Sequence, residues 1–268
     1  MRHRPIMQSL SVFAVVVAAA IIAAVEPRTL QAATSAAAAP PLARRSIAIG
    51  RAFDTPTSGV LNPSPKVEPP RILTKADWGG APSSGTMRRH FPTRMTFHHE
   101  GGKRAAPDDV TSRGLQGLQK YGWNQKGWPD LPYHFLIDVK GAVYAGRDPM
   151  AVGDTNTKYD PTGHLLVTAV GNFDQQTPTE KQLDSIADLM AWACDRYNID
   201  PATLAAHRDY ADTACPGRYL YPYVVSGYLE GQVRERIAKA YSPAAAGNKA
   251  GTSPTMPAIA APGPPQRP

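Results

Sequence analysis

Residues 133–146 read YHFLIDVKGAVYAG and carry the clearest folding signal in the chain. Two apolar runs, YHFLID at 133–138 and AVYAG at 142–146, flank Val139-Lys140-Gly141. Apolar runs joined by a short segment with glycine are typical of a β-hairpin, because glycine accepts the backbone conformation that a tight turn requires. We therefore predict two paired strands here, with glycine at the turn.

Further strand and helix patterns surround the hairpin. Residues 165–170 (LLVTAV) are typical of a buried strand, and residues 94–98 (RMTFH) predict another. Helical patterns cover 109–122 and 219–240. Because strands and helices mix without strict alternation, we predict an α/β fold with a single domain, in which helices flank a central mixed β-sheet.

A longer helix is predicted after the buried strand. Thr177-Pro178-Thr179-Glu180 matches a capping box with proline at the first helical position. The apolar residues that follow recur at helical spacing: Leu183, Ile186, Ala187, Met190, Cys194 and Tyr197. This spacing places them on one face, which we expect to pack on the sheet.

The N-terminus is typical of an export signal. Arg2 and Arg4 precede an apolar run, and Val12 to Val25 spans 14 residues without a polar side chain. A helix needs roughly 20 such residues to span a bilayer, so cleavage is favoured over anchoring. We predict a signal peptide at 1–33 and a secreted or periplasmic protein without stable membrane insertion after cleavage; an uncleaved anchor is the alternative.

The flanks of the domain differ from it in composition and charge. Residues 34–70 and 241–268 are rich in alanine and proline and predict a linker and a disordered tail around a domain at 71–240. The chain has a net charge of +7, yet 71–240 holds 20 basic and 19 acidic residues. A nucleic-acid binder concentrates positive charge on its folded domain, so we expect no nucleic-acid partner. The sequence is compatible with a monomer.

Histidine and cysteine mark two candidate metal-binding segments. His98 lies in Thr-Phe-His-His-Glu at 96–100, whereas His207 and Cys215 lie eight residues apart near the end of the domain. Imidazole and thiolate are ligands that zinc prefers, and a catalytic zinc site has three protein ligands. The three residues predict such a site where the fold brings them together; a polar rim at the end of a strand is the alternative.

The order of motifs along the chain resembles a known family. Its elements are 72–80 (ILTKADWGG), the His98-His99 pair, 133–137 (YHFLI), 143–147 (VYAGR), 170–173 (VGNF), His207 and 213–216 (TACP). Over residues 71–240 this set resembles the zinc N-acetylmuramoyl-L-alanine amidases of the type shared by peptidoglycan recognition proteins and phage amidase lysozymes. The ordered set is specific, although no single element is.

The resemblance implies a function and roles for five residues. It implies that His98, His207 and Cys215 bind Zn²⁺ in a groove at one face of the sheet, and that Tyr133 and Thr213 are catalytic. The implied reaction is hydrolysis of the amide between N-acetylmuramic acid and L-alanine of the peptidoglycan stem peptide. Peptidoglycan or muropeptides would be the partners.

Two departures from the family pattern leave alternatives open. Gly163-His164 stands where many relatives have Asn-Ser, and the loop at 150–162 lacks the histidine common in relatives. Both lie on the expected substrate side. The specificity for the stem peptide is therefore left open, whereas the set of candidate metal ligands is unaffected. A peptidoglycan-binding module without turnover and an amidase restricted to soluble muropeptides are the alternative functions, although non-catalytic members of the family typically lose the cysteine that is Cys215 here.

Several neighbouring residues have predictions of their own. We expect structural roles for His99 and His134, because alternation in a strand turns them from the key positions. His164 is predicted in a surface loop, with a substrate contact as the alternative. Cys194 is predicted to be a buried thiol, with a disulfide to Cys215 as the alternative. Two residues keep two interpretations each: Glu100 supports the ligands or is solvated, and Arg147 contacts the substrate or forms a structural ion pair. The four tryptophans are predicted to be core or groove wall, with a dedicated sugar-binding platform as the alternative.

Overall fold

The computed structural model describes residues 59–242. The predicted signal peptide, residues 34–58 and residues 243–268 lie outside the described residues. Along the described chain lie β1 (Ile72–Leu73), α1 (Lys75–Trp78), β2 (Arg94–His99), α2 (Thr111–Tyr121), β3 (Phe135–Ile137), β4 (Val143–Ala145), β5 (His164–Ala169), α3 (Glu180–Tyr197), β6 (Ala205–Ala206), α4 (Tyr221–Val225) and α5 (Tyr228–Tyr241). A π-helical turn (Gly122–Lys126) extends α2, and short 3₁₀ turns flank β6 at Pro201–Thr203 and His207–Asp209.

The strands form one sheet in the order β1-β4-β3-β5-β2-β6. Strands β3, β5, β2 and β6 run parallel to one another, whereas β4 is antiparallel to β3 and parallel to β1. The predicted α/β fold with a central mixed sheet and flanking helices is therefore confirmed.

The predicted hairpin is β3 and β4, paired from Phe135 with Ala145 to Ile137 with Val143. Gly141 lies in the turn with φ of +83°, and a Cβ there would come within 2.8 Å of the carbonyl oxygen of Lys181. The turn thus requires glycine for its conformation and for its close contact with α3. The strands are shorter than predicted, because the chain joins the regular ladder only at Phe135.

The two faces of the sheet pack against different helices. Met95 and Phe97 of β2 point into the larger core, which includes apolar residues of α3 and α5. The other face is covered over β3 and β4 by a smaller cluster consisting of Trp78, Leu115, Leu131, Leu136 and Tyr144. Because side chains alternate along a strand, Thr96 and His98 face this second side.

Helix α3 begins later than predicted. Thr179 is its N-cap, since the Thr179 side chain accepts a hydrogen bond from the backbone N–H of Gln182. Thr177 is not the cap, and Pro178 precedes the helix instead of opening it. The predicted apolar face is confirmed: Leu183, Ile186, Ala187, Met190 and Cys194 are buried, and Tyr197 packs against them.

The other two predicted helices also differ in their bounds. The helix predicted over 109–122 begins at Thr111 and widens into a π-helical turn after Tyr121. The helix predicted over 219–240 is interrupted by Gly227, which has φ of +76° and separates α4 from α5. Within residues 59–242, no helix combines the length and apolar character needed to cross a bilayer.

The structure extends the domain upstream of residue 71. The carboxylate of Asp195 on α3 accepts hydrogen bonds from the Asn62 side chain at 2.7 Å and from the backbone N–H groups of Lys66 and Val67 at 2.7 and 2.8 Å. Val67 also packs against the core. Residues 59–70 were expected to be part of a flexible linker. They lie along the domain instead, because their side-chain and backbone donors hydrogen-bond to the buried Asp195 carboxylate.

Candidate metal centre and active site

His98 and His207 lie side by side at the carboxyl ends of adjacent parallel strands. His98 lies in β2, and His207 follows β6 directly. Phe97 pairs with Ala206, so the next residue of each strand reaches the same level. The two imidazole centroids are 4.6 Å apart. Ligands commonly bind at this end of parallel strands.

The loop after His207 brings Cys215 to the same point. The Arg208 N–H donates to the Cys215 carbonyl oxygen at 3.1 Å, which closes the loop. The Cys215 Sγ lies 3.7 Å from Nδ1 of His98 and accepts a hydrogen bond from the His99 N–H at 3.3 Å. One donor atom from each of the three predicted ligands lies within 4.8 Å of the other two, and all three residues are buried.

The protonation states of the three residues suit a cation. Burial lowers the pKa of His98 well below its usual value, with a further contribution from His207, and burial lowers the pKa of His207 to about 4. Both rings are thus neutral near pH 7, and each offers a nitrogen lone pair. Burial raises the pKa of Cys215 to about 12, so the thiol loses its proton only when a cation binds the sulfur. Two imidazoles and one cysteine fit Zn²⁺ in its catalytic ligand number.

A cavity of about 160 Å³ opens over the three residues, and Tyr133 and Thr213 both line it. The Tyr133 ring centroid lies 5.3 Å from that of His98. Burial raises the pKa of Tyr133, so its hydroxyl remains a hydrogen-bond donor. The Thr213 Oγ1 accepts the Cys215 N–H at 3.2 Å, which leaves the hydroxyl hydrogen of Thr213 free to donate elsewhere.

Glu100 and Trp128 complete one side of this cavity. The Glu100 carboxylate accepts the Gly102 N–H at 3.0 Å, and burial raises its pKa although this hydrogen bond opposes the shift. Glu100 thus bonds within its own loop. Trp128 is groove wall, whereas Trp78 belongs to the core.

The loop between β4 and β5 contributes two residues that the sequence analysis did not single out. The Thr157 Oγ1 lies 2.7 Å from Nε2 of His207, and the Tyr159 Oη lies 3.4 Å from Nε2 of His98. Threonine and tyrosine in a polar loop carry no metal-binding signal. The only hint was the position of this loop on the expected substrate side.

His99 and His134 have structural contacts, as predicted. The His99 Nδ1 accepts the Phe173 N–H at 3.3 Å on the opposite face of β2. The His134 Nδ1 accepts the Leu166 N–H at 2.8 Å, and its Nε2 donates to the Ala151 carbonyl oxygen at 2.9 Å.

Arg147 forms a structural ion pair, which is one of the two interpretations given above. Its side chain is 2% exposed and donates to the carbonyl oxygens of Leu131 and Val152 at 2.8 and 2.6 Å. It also pairs with Asp154. Arg147 therefore fixes the strand-end loops and is not free for a substrate carboxylate.

His164 does not lie in a surface loop. It is the first residue of β5, pairs with Arg94 in the ladder and is 4% exposed. Its Nδ1 lies 2.7 Å from the Thr96 Oγ1, and burial lowers its pKa to about 4. The prediction was wrong because the strand extends one residue beyond its apolar run.

Both cysteines are unpaired, so the alternative disulfide between Cys194 and Cys215 is absent. Cys194 is buried on α3, as predicted, and burial raises its pKa to about 12. It borders a larger cavity of about 1310 Å³ near the C-terminal end of α3. None of the five predicted site residues lines that cavity.

These features define an α/β protein with a His-His-Cys centre at the carboxyl ends of parallel strands. A sequence profile described as N-acetylmuramoyl-L-alanine amidase matches residues 88–218, a range that contains all five predicted site residues. Peptidoglycan-recognition protein SD of Drosophila melanogaster is 32% identical over 158 residues, which are 57% of this chain and 83% of that relative. The chain belongs to the N-acetylmuramoyl-L-alanine amidase family, as the resemblance implied.

Solved structures agree with this assignment. The crystal structure of the Drosophila recognition protein SD matches with a TM-score of 0.53 at 29% identity, covering 57% of this chain and 92% of that one. The complex of recognition proteins LCa and LCx with bound tracheal cytotoxin matches with a TM-score of 0.52 at 27% identity, covering 56% and 92%. The amidase LysC from Clostridium intestinale URNW shares the fold, with a TM-score of 0.51 at 23% identity over 62% and 98% of the two chains.

Proposed function

We propose that the chain is a secreted or periplasmic zinc hydrolase that cleaves the amide between N-acetylmuramic acid and L-alanine of the peptidoglycan stem peptide. The observation that carries this proposal is the convergence of His98, His207 and Cys215 beneath a cavity that Tyr133 and Thr213 also line. Family membership supports it. Its partners are peptidoglycan or muropeptides.

Hydrolysis of this amide bond requires activation of both the carbonyl group and water. An amide is a poor electrophile with a poor leaving group. Hydrolysis adds the oxygen of water to the lactyl carbonyl carbon, breaks the C–N bond and delivers a proton to the departing amine of L-alanine. When bound by the three residues, Zn²⁺ supplies a Lewis acid that polarises a carbonyl and makes water more acidic.

Tyr133 is proposed to stabilise the negative charge that develops on the carbonyl oxygen. Its hydroxyl remains protonated because burial raises its pKa, and its ring lies beside His98. A hydrogen bond to a developing oxyanion is stronger in a buried site than in water. Removing one such donor typically lowers kcat about 10²–10³-fold.

Thr213 is proposed to donate a second hydrogen bond. Because its Oγ1 accepts the Cys215 N–H, the orientation of the hydroxyl is partly fixed. A threonine hydroxyl is too weak a base to take a proton from water. Its contribution is therefore to position the carbonyl group, not to transfer protons.

A peptidoglycan-binding module without turnover is the second candidate. It is favoured by the relatives named for recognition. The same cavity serves either function, and the retention of Cys215 and Tyr133 favours the enzyme. An amidase restricted to soluble muropeptides is the third candidate.

Mass spectrometry of digested sacculi tests the proposal. The chain without its predicted signal peptide (residues 34–268) is incubated with purified sacculi or with soluble muropeptides, with and without a chelator. Cys215→Ala is the test variant, and Cys194→Ala is the matched control at the other buried free cysteine. The enzyme is supported if the wild-type chain and Cys194→Ala release stem peptides, whereas chelation and Cys215→Ala abolish the release. Binding at full zinc loading without release from either substrate points to the recognition module.

A further inference from the structure

One short loop reaches both histidines of the candidate metal centre. The Thr157 Oγ1 lies 2.7 Å from Nε2 of His207, and the Tyr159 Oη lies 3.4 Å from Nε2 of His98. Thr155 joins the first contact, with its Oγ1 3.4 Å from the same Nε2 of His207. All three residues lie in the loop between β4 and β5.

The identity of the contacted nitrogen matters for metal binding. An imidazole that binds a metal through one nitrogen carries its proton on the other, and the partner of that N–H fixes the tautomer and the ring orientation. For His98, Nδ1 faces the Cys215 Sγ at 3.7 Å, so Nε2 is the nitrogen that points away from the centre. Tyr159 contacts that outer nitrogen.

We propose that Thr157 and Tyr159 are positioning residues that accept the Nε2–H of His207 and His98 and thereby present both Nδ1 atoms to the metal. This inference rests on the zinc site of the proposed function. Thr157 has the dominant role, because a hydrogen bond of 2.7 Å is strong whereas one of 3.4 Å is near the limit of useful geometry.

The loop is held in the position that this role requires. The Tyr159 ring stacks on that of Tyr210, with centroids 5.7 Å apart and an interplanar angle of 20°. The Thr155 and Thr157 hydroxyls bond to each other at 2.8 Å, so the Thr155 hydroxyl helps to fix the Thr157 Oγ1. The Asp160 carboxylate accepts hydrogen bonds from Arg88 and from the Thr162 hydroxyl, both at 2.7 Å.

The test measures zinc affinity, not only activity. A chromophoric chelator competes for Zn²⁺ with the wild-type protein (residues 34–268) and with three variants of it: Thr157→Val, Thr157→Ser and Tyr159→Phe. Valine keeps the shape of threonine but accepts no hydrogen bond, so Thr157→Val is expected to weaken affinity about 10–100-fold. Thr157→Ser restores the acceptor and most of the affinity, and Tyr159→Phe loses less than Thr157→Val. Thr203→Val is the matched control, because the Thr203 hydroxyl donates to the Asp200 carbonyl oxygen at 2.7 Å and Thr203 does not line the cavity over the candidate metal centre.

A spectroscopic measurement on the unmodified chain complements the variants. Long-range ¹H–¹⁵N spectra of the zinc-loaded protein are expected to show His98 and His207 protonated at Nε2. Protonation at Nδ1 of His207 would overturn the proposal without any variant. Wild-type affinity in Thr157→Val would also overturn it while leaving the zinc site intact. Failure of the wild-type chain to bind zinc would overturn the zinc site, and this inference with it.

Discussion

The Cys215 Sγ accepts a hydrogen bond from the backbone N–H of His99 at 3.3 Å. This contact ties the loop that ends at Cys215 to the end of β2, one residue beyond His98. The strand and the loop are thus joined at the position where the three candidate ligands meet. Removing a shared metal from this junction is expected to loosen the loop more than the sheet.

Metal removal should therefore lower stability through the Cys215 loop. A ligand present at 1,000 times its Kd stabilises the folded state by about 4 kcal/mol. We expect a chelator to lower the Tm of the wild-type chain and to increase amide hydrogen exchange in residues 208–215. Calorimetry and exchange mass spectrometry measure the two effects.

Two variants serve as internal checks on that prediction. Cys215→Ala is expected to melt at the same temperature with and without chelator, because it lacks one candidate ligand. Cys194→Ala is expected to retain the chelator-dependent shift. A chelator effect of equal size in Cys215→Ala would show that the metal binds elsewhere.

Tyr133→Phe separates catalysis from metal binding. We expect kcat on muropeptide to fall about 10²–10³-fold, because the variant loses one hydroxyl donor to the developing oxyanion. Zinc content should stay at the wild-type level, since Tyr133 is not among the three candidate ligands. Kinetic assays with metal analysis test both statements, and Tyr197→Phe, on the opposite face of the sheet, is the control. Retention of full kcat in Tyr133→Phe would remove Tyr133 from the chemistry.

The sequence predicted the framework of the site because its elements are local. The hairpin, the strand that leads to His98 and the apolar face of α3 each depend on a short pattern of residue types. The resemblance then indicated which histidines and which cysteine converge. The convergence itself depends on the register of Phe97 with Ala206, a pairing between segments more than 100 residues apart that no local pattern encodes.

The failures of prediction have a common physical cause. His164, Thr157 and Tyr159 lie in or beside the loop between β4 and β5, where polar residues are stabilised by partners distant in sequence. Asn62 and Val67 lie in a proline-rich segment without apolar periodicity, yet Asp195 on α3 binds that segment. Hydrogen bonds to remote partners decide these positions, and a linear sequence does not display them.

Acid should destabilise the protein through His134. Burial lowers the pKa of His134 to about 3, from an unfolded value near 6.5, although the hydrogen bond from its Nε2 to the Ala151 carbonyl oxygen opposes the shift. Its Nδ1 accepts the Leu166 N–H, so a proton at Nδ1 would break that hydrogen bond. Between these values the unfolded chain binds the additional proton. The contribution of His134 to stability is therefore fully present above pH 6.5 and is lost as pH falls toward 3, with a slope of up to about 1.4 kcal/mol per pH unit.

Urea unfolding as a function of pH measures this contribution. The free energy of unfolding of the wild-type chain should fall more steeply below pH 6.5 than that of His134→Asn, which has no proton to bind. Other buried histidines titrate in both proteins and cancel in the comparison. NMR of the wild-type ring should show no titration of His134 from pH 7 to 4.5, and a titration midpoint near 6.5 would contradict the prediction even if the variant does not fold.

Truncation at residue 71 should destabilise the domain although it leaves every predicted site residue in place. Without residues 59–70, the buried Asp195 carboxylate loses donors from Asn62, Lys66 and Val67 and keeps the Tyr241 hydroxyl at 2.7 Å. A hydrogen bond to a charged group contributes about 1.5–3 kcal/mol, so we expect a clear fall in the free energy of unfolding relative to a chain that begins at residue 59.

Asp195→Asn tests the same contact without truncation. Burial raises the pKa of Asp195, but the hydrogen bonds outweigh it and the net pKa is lowered. The carboxylate therefore stabilises the fold above the unfolded pKa near 3.9, and this stabilisation is lost as pH falls below that value. At pH 7, Asp195→Asn should be less stable than wild type, because an amide NH₂ would face backbone donors, and the difference should shrink below pH 4. Asp108→Asn, at an exposed position, is the control. Equal stability of Asp195→Asn and wild type at pH 7 would mean that the hydrogen bonds between Asp195 and the upstream segment contribute nothing to the stability of the fold.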